Sequence, residues 1–294
     1  MSTALVGYGR PSGCSWTCVG AGAGFDSDPA ALNSGIVSDA TAVQWLSGVQ
    51  STASFIKLQC LWATPQPVRI IPLLDMFGLP AGTKIQVRGR RQSDSDFTYS
   101  LGGNSLTQRL FGFDDGSTGM VVIADAANDP LVGYEARIFN DVNGATALTA
   151  GQYIYPGEID ALQGWETVAG IKREFDQKFE NGPAETRSTN NQPKMLPARK
   201  NRVEPITLSN VNFATAYGSS GGTVVSYNKL ANLLSDGDVC CVIRQWQDSA
   251  GALDPYMLHQ MFVYGVARDV EPPQKDGSNN RYVMSLKCAE SPPR

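Results

Sequence analysis

From Ile56 to Trp62 apolar and polar residues alternate with a period of two, a pattern that a strand satisfies and a helix does not. Ile56, Leu58, Cys60 and Trp62 point one way, and Lys57 and Gln59 the other. Pro65 and Pro67 are expected to stop this strand, because proline has no N–H to give a ladder. Val68–Leu74 is a second run, in which Pro72 suggests an edge or a bulge. Gly78, Pro80 and Gly82 supply the next turn. Ile85 and Val87 then alternate with Lys84, Gln86 and Arg88 in a third strand. Strand, turn and strand at this spacing predict an antiparallel sheet with one wet face.

The rest of the chain extends the pattern. Strands are expected at 96–101, 120–124 and 132–139, where Tyr134, Ala136 and Ile138 alternate with Glu135 and Arg137. Asn143-Gly144 is a hairpin turn, and Ala147–Tyr155 its expected return strand. Short strands so spaced point to an antiparallel β-sandwich over residues 54–170. Residues 171–204 have few apolar side chains and no period, so they read as a linker or an excursion. Residues 205–294 read as a second, smaller β-rich domain. Its expected elements are a strand at Pro205–Phe213, a short helix capped by Ser226, strands at Val239–Trp246 and Tyr256–Val270, and a last strand carrying Tyr282, Met284, Leu286 and Cys288. Residues 1–53 are Gly-rich and weakly patterned, and read as an extended arm that orders on something else. The fold class is therefore all-β with few short helices.

Thirty glycines and 17 prolines, with only 18% charged residues, fit such a turn-rich protein. A net charge of −4 argues against general nucleic-acid binding and against an anionic membrane surface. No run of eighteen apolar residues occurs, and no basic segment leads into a short apolar one, so neither membrane insertion nor a secretory signal is expected. The six cysteines, Cys14, Cys18, Cys60, Cys240, Cys241 and Cys288, form no CxxC pair and are read as reduced thiols made in a cytosol.

Reactive constellations are weak. Gly218-Ser219-Ser220-Gly221-Gly222 fits G-x-S-x-G, but a nucleophile elbow needs a helix directly after the serine, and Thr223-Val224-Val225 follows instead. The single histidine, His259, lacks ligand partners at zinc spacing. Gly20-Ala21-Gly22-Ala23-Gly24 lacks the βαβ context of a dinucleotide site. Glu158 with Asp160, and Asp94 with Asp96, are close enough to serve glycosidic chemistry and are more simply loop charges. No catalytic residue, metal site, cofactor or small-molecule substrate is expected. Lys84, Arg88, Arg90 and Arg91, with Lys194, Arg199, Lys200 and Arg202, are candidate subunit-interface residues that would meet acidic neighbours. Trp165, Tyr153 and Tyr155 are the candidates for a different function, a carbohydrate-binding module that recognises host-surface glycans through exposed aromatics.

Three stretches resemble the tail tip or baseplate-region structural proteins of long-tailed bacteriophages. QPVRIIPLLDMFGLPAGTKIQVRGRR is similar to the opening of their galactose-binding-like sandwich. EARIFNDVNGATALTAGQYIYPGEIDALQGW is similar to its close, and the C-terminal order of helix, strand, loop with Asp254-Pro255 and two strands is similar to the domain that follows. The resemblance implies a non-enzymatic virion protein, made in the host bacterial cytoplasm and located in the tail. Its partners would be copies of itself around the tail axis and other tail proteins. A head–tail junction protein is the alternative within that class.

Overall fold

The computed structural model describes residues 4–11, 15–21, 25–26, 43–45, 55–76, 84–100, 108–109, 111–112, 118–124, 130–139, 153–154, 158–167, 172–175, 178–181, 184–187, 193–196, 200–219, 225–247, 258, 261–277 and 280–290. The chain is mostly β, with antiparallel, sandwich-like sheets and, among the described residues, two short helical elements that pack in one core. It divides into two compact units. The first comprises Met1–Gly9, Trp165–Leu253 and Gln260–Arg294; the second comprises Arg10–Gly164 and Asp254–His259.

In the second unit a six-stranded sheet runs in the order β2 (Ser15–Ala21), β5 (Phe55–Gln66), β12 (Leu131–Phe139), β7 (Lys84–Arg91) and β8 (Tyr99–Ser100), with β9 (Gln108–Arg109) also on β7. A four-stranded sheet runs β10 (Phe111–Gly112), β11 (Thr118–Ile123), β6 (Ile70–Met76) and β14 (Glu158–Ile159). A small third sheet joins β13 (Tyr153–Ile154), β4 (Val43–Trp45) and β3 (Phe25–Asp26). The expected alternation holds: Leu58, Cys60, Trp62, Ile85, Val87, Tyr134 and Ala136 are buried, and Gln86, Arg88 and Arg137 on the opposite parity are only half-buried.

Three local expectations are corrected. β5 continues through Pro65 to Gln66, and its pairing with β12 is irregular between Leu131 and Gly133, where a proline is tolerated. Pro72 lies inside β6, between β11 and β14, rather than at an edge; β14 is only two residues long, and Pro72 contributes its carbonyl, which accepts Asp160 N–H at 3.2 Å. Tyr153–Ile154 pairs with β4 rather than folding back on β12, because β5 and β7 already occupy both edges of β12. The Asn143-Gly144 turn lies outside the described residues.

The first unit is built on a nine-stranded sheet. Its order is β15 (Gln163–Glu166), β1 (Leu5–Tyr8), β21 (Val239–Ile243), β22 (Phe262–Arg268), β24 (Arg281–Glu290), β20 (Lys200–Val211) and β16 (Lys172–Phe175). β17 (Lys178–Asn181) pairs with β20, and β23 (Gln274–Asp276) with β24. β18 (Ala184–Arg187) and β19 (Pro193–Leu196) form a two-stranded sheet. Helices α1 (Phe213–Tyr217) and α2 (Tyr227–Leu233) bury Ala216, Tyr227 and Leu230 in one cluster with Val6, Tyr8, Trp165, Leu208, Val242 and Leu286. The predicted cap is present: Ser226 Oγ accepts Lys229 N–H at 3.3 Å.

The divisions of the chain differ from those read in the sequence. Residues 4–8 are not part of an arm outside the domains; they are a buried strand of the first unit, because an apolar Ala-Leu-Val run gains most when covered on both faces. Residues 171–204 contain four strands rather than a structureless linker, since the twelve residues of β20 offer an edge to both β16 and β17. The strand expected from Tyr256 begins at Phe262, the residue opposite Ile243 at the end of β21, and buried Leu258 is helical. Cys60 is disulfide-bonded, with a partner outside the described side chains, so the expectation of six reduced thiols fails there. Cys240, Cys241 and Cys288 remain buried thiols.

Candidate functional site

The first unit carries a ridge of three aromatic rings, two of them exposed and the third half-buried against the core. It begins where β20 ends at Val211. Asn212 caps α1, its side chain accepting Thr215 N–H at 2.8 Å. Ala216 turns inward to the core, and that places Phe213 and Tyr217, four residues apart, together on the outer side. Phe213 is 59% exposed and Tyr217 41%. Tyr282 of β24 completes the ridge, with ring centroids 6.1 Å from Phe213 and 5.2 Å from Tyr217, both edge-on. Tyr217 Oη donates to Pro273 O at 3.0 Å, which fixes its ring. Lys275 stands opposite Tyr282 across β23 and β24. Leu233, 51% exposed, is on α2, which packs against α1. Phe213, Tyr217 and Leu233 are the exposed large apolar residues among those described, and all three lie on α1 and α2.

The basic residues singled out in the sequence fall in different units. Arg88 and Arg90 share one face of β7, as expected, and Lys84 pairs through its backbone with Phe139. That face is less open than a solvated one. Glu135, opposite Arg88, is fully buried; it accepts Gln59 Nε2–H at 2.5 Å and Arg137 Nε–H. Partial burial, with Arg137 nearby, pulls the Arg88 guanidinium below its ordinary value, against the opposing pull of Glu135 and Asp96. Arg90 Nε donates to Asp94 O at 3.1 Å. Arg91 clasps the Asp94 carboxylate, with Nε–H to Oδ2 at 3.1 Å, and lies 5.0 Å from the Tyr99 ring centroid. That contact holds the Asp94 carboxyl below the usual range. These arginines staple a turn.

In the first unit Arg202 makes a forked contact with Glu290, Nε and Nη2 donating to Oε1 at 3.1 and 2.9 Å. Lys194 pairs through its backbone with Thr186, and Lys200 with Asn181. Arg199 lies outside the described residues.

The glycan candidates divide likewise. Trp165 is only 3% exposed: its Nε1–H donates to Val225 O at 2.9 Å and its ring meets Tyr227 edge-on at 5.7 Å. A tryptophan so enclosed cannot stack on a sugar, which corrects that assignment. Tyr153 pairs through β13 with Gln44, and Tyr155 lies outside the described residues. Ser220 and His259 do too. The close carboxylates serve structure: Asp160 is buried, takes Arg10 Nε–H at 2.7 Å and caps Ala161 N–H at 2.7 Å, while Asp96 caps Phe97 N–H at 2.7 Å.

No family model, curated protein or solved structure matches this chain. The arrangement therefore has to be judged on its own chemistry. Among the described residues no group of three or more His, Cys, Asp or Glu side chains is placed to hold a metal ion. No described helix is long and apolar enough to cross a membrane. A fixed, partly exposed aromatic ridge can bind by burial and stacking. The sequence places Phe213 at the end of a strand, whereas it opens α1, and nothing in the sequence brings Phe213 and Tyr217 beside the half-buried Tyr282.

Proposed function

We propose that this chain is a non-catalytic structural subunit of a long-tailed phage tail, at the tip or baseplate, that works by contact with copies of itself and with neighbouring tail proteins. The observation that supports this reading is the ridge of Phe213, Tyr217 and Tyr282. Phe213 and Tyr217, left exposed yet held in place against each other and the half-buried Tyr282, suit the centre of a protein contact, where Tyr and other aromatics contribute most. The ion pairs Arg91–Asp94 and Arg202–Glu290 are satisfied within the chain, so apolar contact rather than exposed charge carries the association. Electron microscopy of the concentrated full chain tests the reading. Rings or stacked rings are expected. Dispersed single particles at every concentration, together with turnover of a substrate, would remove it.

Among the described residues the same ridge gives a second reading its footing. A sugar ring can stack on Tyr217 or Tyr282 with Lys275 alongside, as the carbohydrate-binding alternative requires. A glycan array on the full chain separates the two. Binding lost in Tyr282→Ser supports the carbohydrate reading, and an empty array leaves the structural one.

A further inference from the structure

The N-terminal strand is bound in the first unit as an insert. β1 lies between β15 and β21, with Leu5 opposite Ile243, Val6 opposite Val242 and Gly7 opposite Cys241. Ala4 N–H donates to Thr167 Oγ1 at 2.9 Å, and Thr167 N–H returns a bond to Ala4 O at 2.9 Å. Ala4, Leu5 and Val6 are fully buried, and Val6 and Tyr8 belong to the main core with Trp165 and Val242.

In the sequence this strand is isolated. After Gly9 the chain leaves the unit at Arg10 and does not return until Trp165. The connection is Gly9, exposed and with φ +64°, a conformation that favours glycine. On its far side Arg10 is anchored to Asp160 at 2.7 Å. A strand that fills a slot by ladder bonds and apolar packing, and is followed by an exposed glycine, fits the identical slot of any other copy equally well. Every contact it makes is one that each copy offers, so which copy fills the slot depends on the hinge and on local concentration.

We propose that, in the assembled state, residues 4–8 of one copy occupy the slot between β15 and β21 of the next. This rests on the reading of the chain as a self-associating subunit and supplies its mechanism. Donor strand and acceptor slot are different surfaces, so the contact is head to tail and can close into a ring.

The test uses full chains. An isotopically heavy Ala4→Cys variant and a light Thr167→Cys variant are dissociated, mixed, reassembled and oxidised, and cross-linked peptides are read by mass spectrometry. The Ala4→Cys/Thr167→Cys double variant, as a dilute monomer, checks that the pair can bridge. A heavy–light bridge between positions 4 and 167 is expected. A synthetic peptide of residues 1–11 in excess gives a cysteine-free readout and is expected to inhibit association. Association that proceeds with no heavy–light bridge and is unmoved by the peptide overturns strand donation and leaves the contact-surface reading standing. Absence of association in every sample overturns both.

Discussion

Arg244 grips Glu204 with two donors, Nε reaching Oε1 at 2.6 Å and Nη2 reaching Oε2, and the Glu204 carboxylate is fully buried. Glu204 shares the inward parity of β20 with Ile206 and Leu208, and stands opposite Cys288 of β24. A charge so placed is tolerated because its partner comes with it. Arg244→Met is expected to destabilise the first unit by about 3–5 kcal/mol, since it strands the carboxylate, whereas Glu204→Leu/Arg244→Met recovers most of that loss. Urea unfolding of the full chain measures both. Equal stability of the single variant and the parent would show that the pair is dispensable.

Gly133 sits where β12 changes register against β5 and β7. A Cβ there would lie 2.4 Å from Cys60 O and 2.7 Å from Leu61 Cδ2. The first of these is backbone and cannot step aside. Gly133→Ala is therefore expected to cost about 1–3 kcal/mol. Gly89→Ala, whose nearest neighbours are ends of the Leu131 and Tyr99 side chains at 3.1–3.2 Å, is expected to cost less. The reverse order in denaturant midpoints would contradict the geometry.

Thiol counting tests the bridge at Cys60. Six cysteines less the two of one bridge leave four titratable thiols in denaturant without reductant. In the folded chain Cys240 and Cys288 are expected to react slowly, being buried, and burial with the neighbouring Cys240 pushes the Cys288 thiol up. Six thiols in denaturant would show that the bridge does not form.

Burial raises the phenol of Tyr227, as does the Glu271 charge, and its Oη donates to Ser285 O at 2.6 Å. The neutral form is favoured in the folded state. Its contribution is therefore present below the unfolded value of about 10 and lost as pH climbs above it. Tyr227→Phe is expected to cost about 0.5–1.5 kcal/mol at neutral pH and to make unfolding less steep in alkali. A variant whose alkaline limb matches the parent's would refute this.

The strands carrying Leu58–Trp62 and Ile85–Val87 were legible because each has one more deeply buried face, and a period of two is the direct mark of that, whereas Ile70, Ile71 and Leu73 are buried on both faces and show only as an apolar run. The α2 cap was legible at Ser226 for a local reason, a hydroxyl beside an apolar face. What escaped depends on distant partners. Leu5 and Val6 carry no alternation because both faces are covered, and the strand β21 that receives them begins more than two hundred residues later. Arg202 and Arg91 look like free surface charge until Glu290 and Asp94 are found beside them. Glu204 left a readable mark, an acid on the buried parity of a strand, but Arg244 could not be matched to it by spacing.

The most direct measurement of the account is sedimentation of the full chain over a concentration series, beside Phe213→Asp. Phe213 is more than half exposed and opens a capped helix, so the substitution should leave the fold intact, as circular dichroism would verify. The account predicts that the parent self-associates and that the variant does so at least about tenfold more weakly, roughly 1.4 kcal/mol. A parent that stays monomeric throughout, or a variant that associates as strongly as the parent, would contradict it.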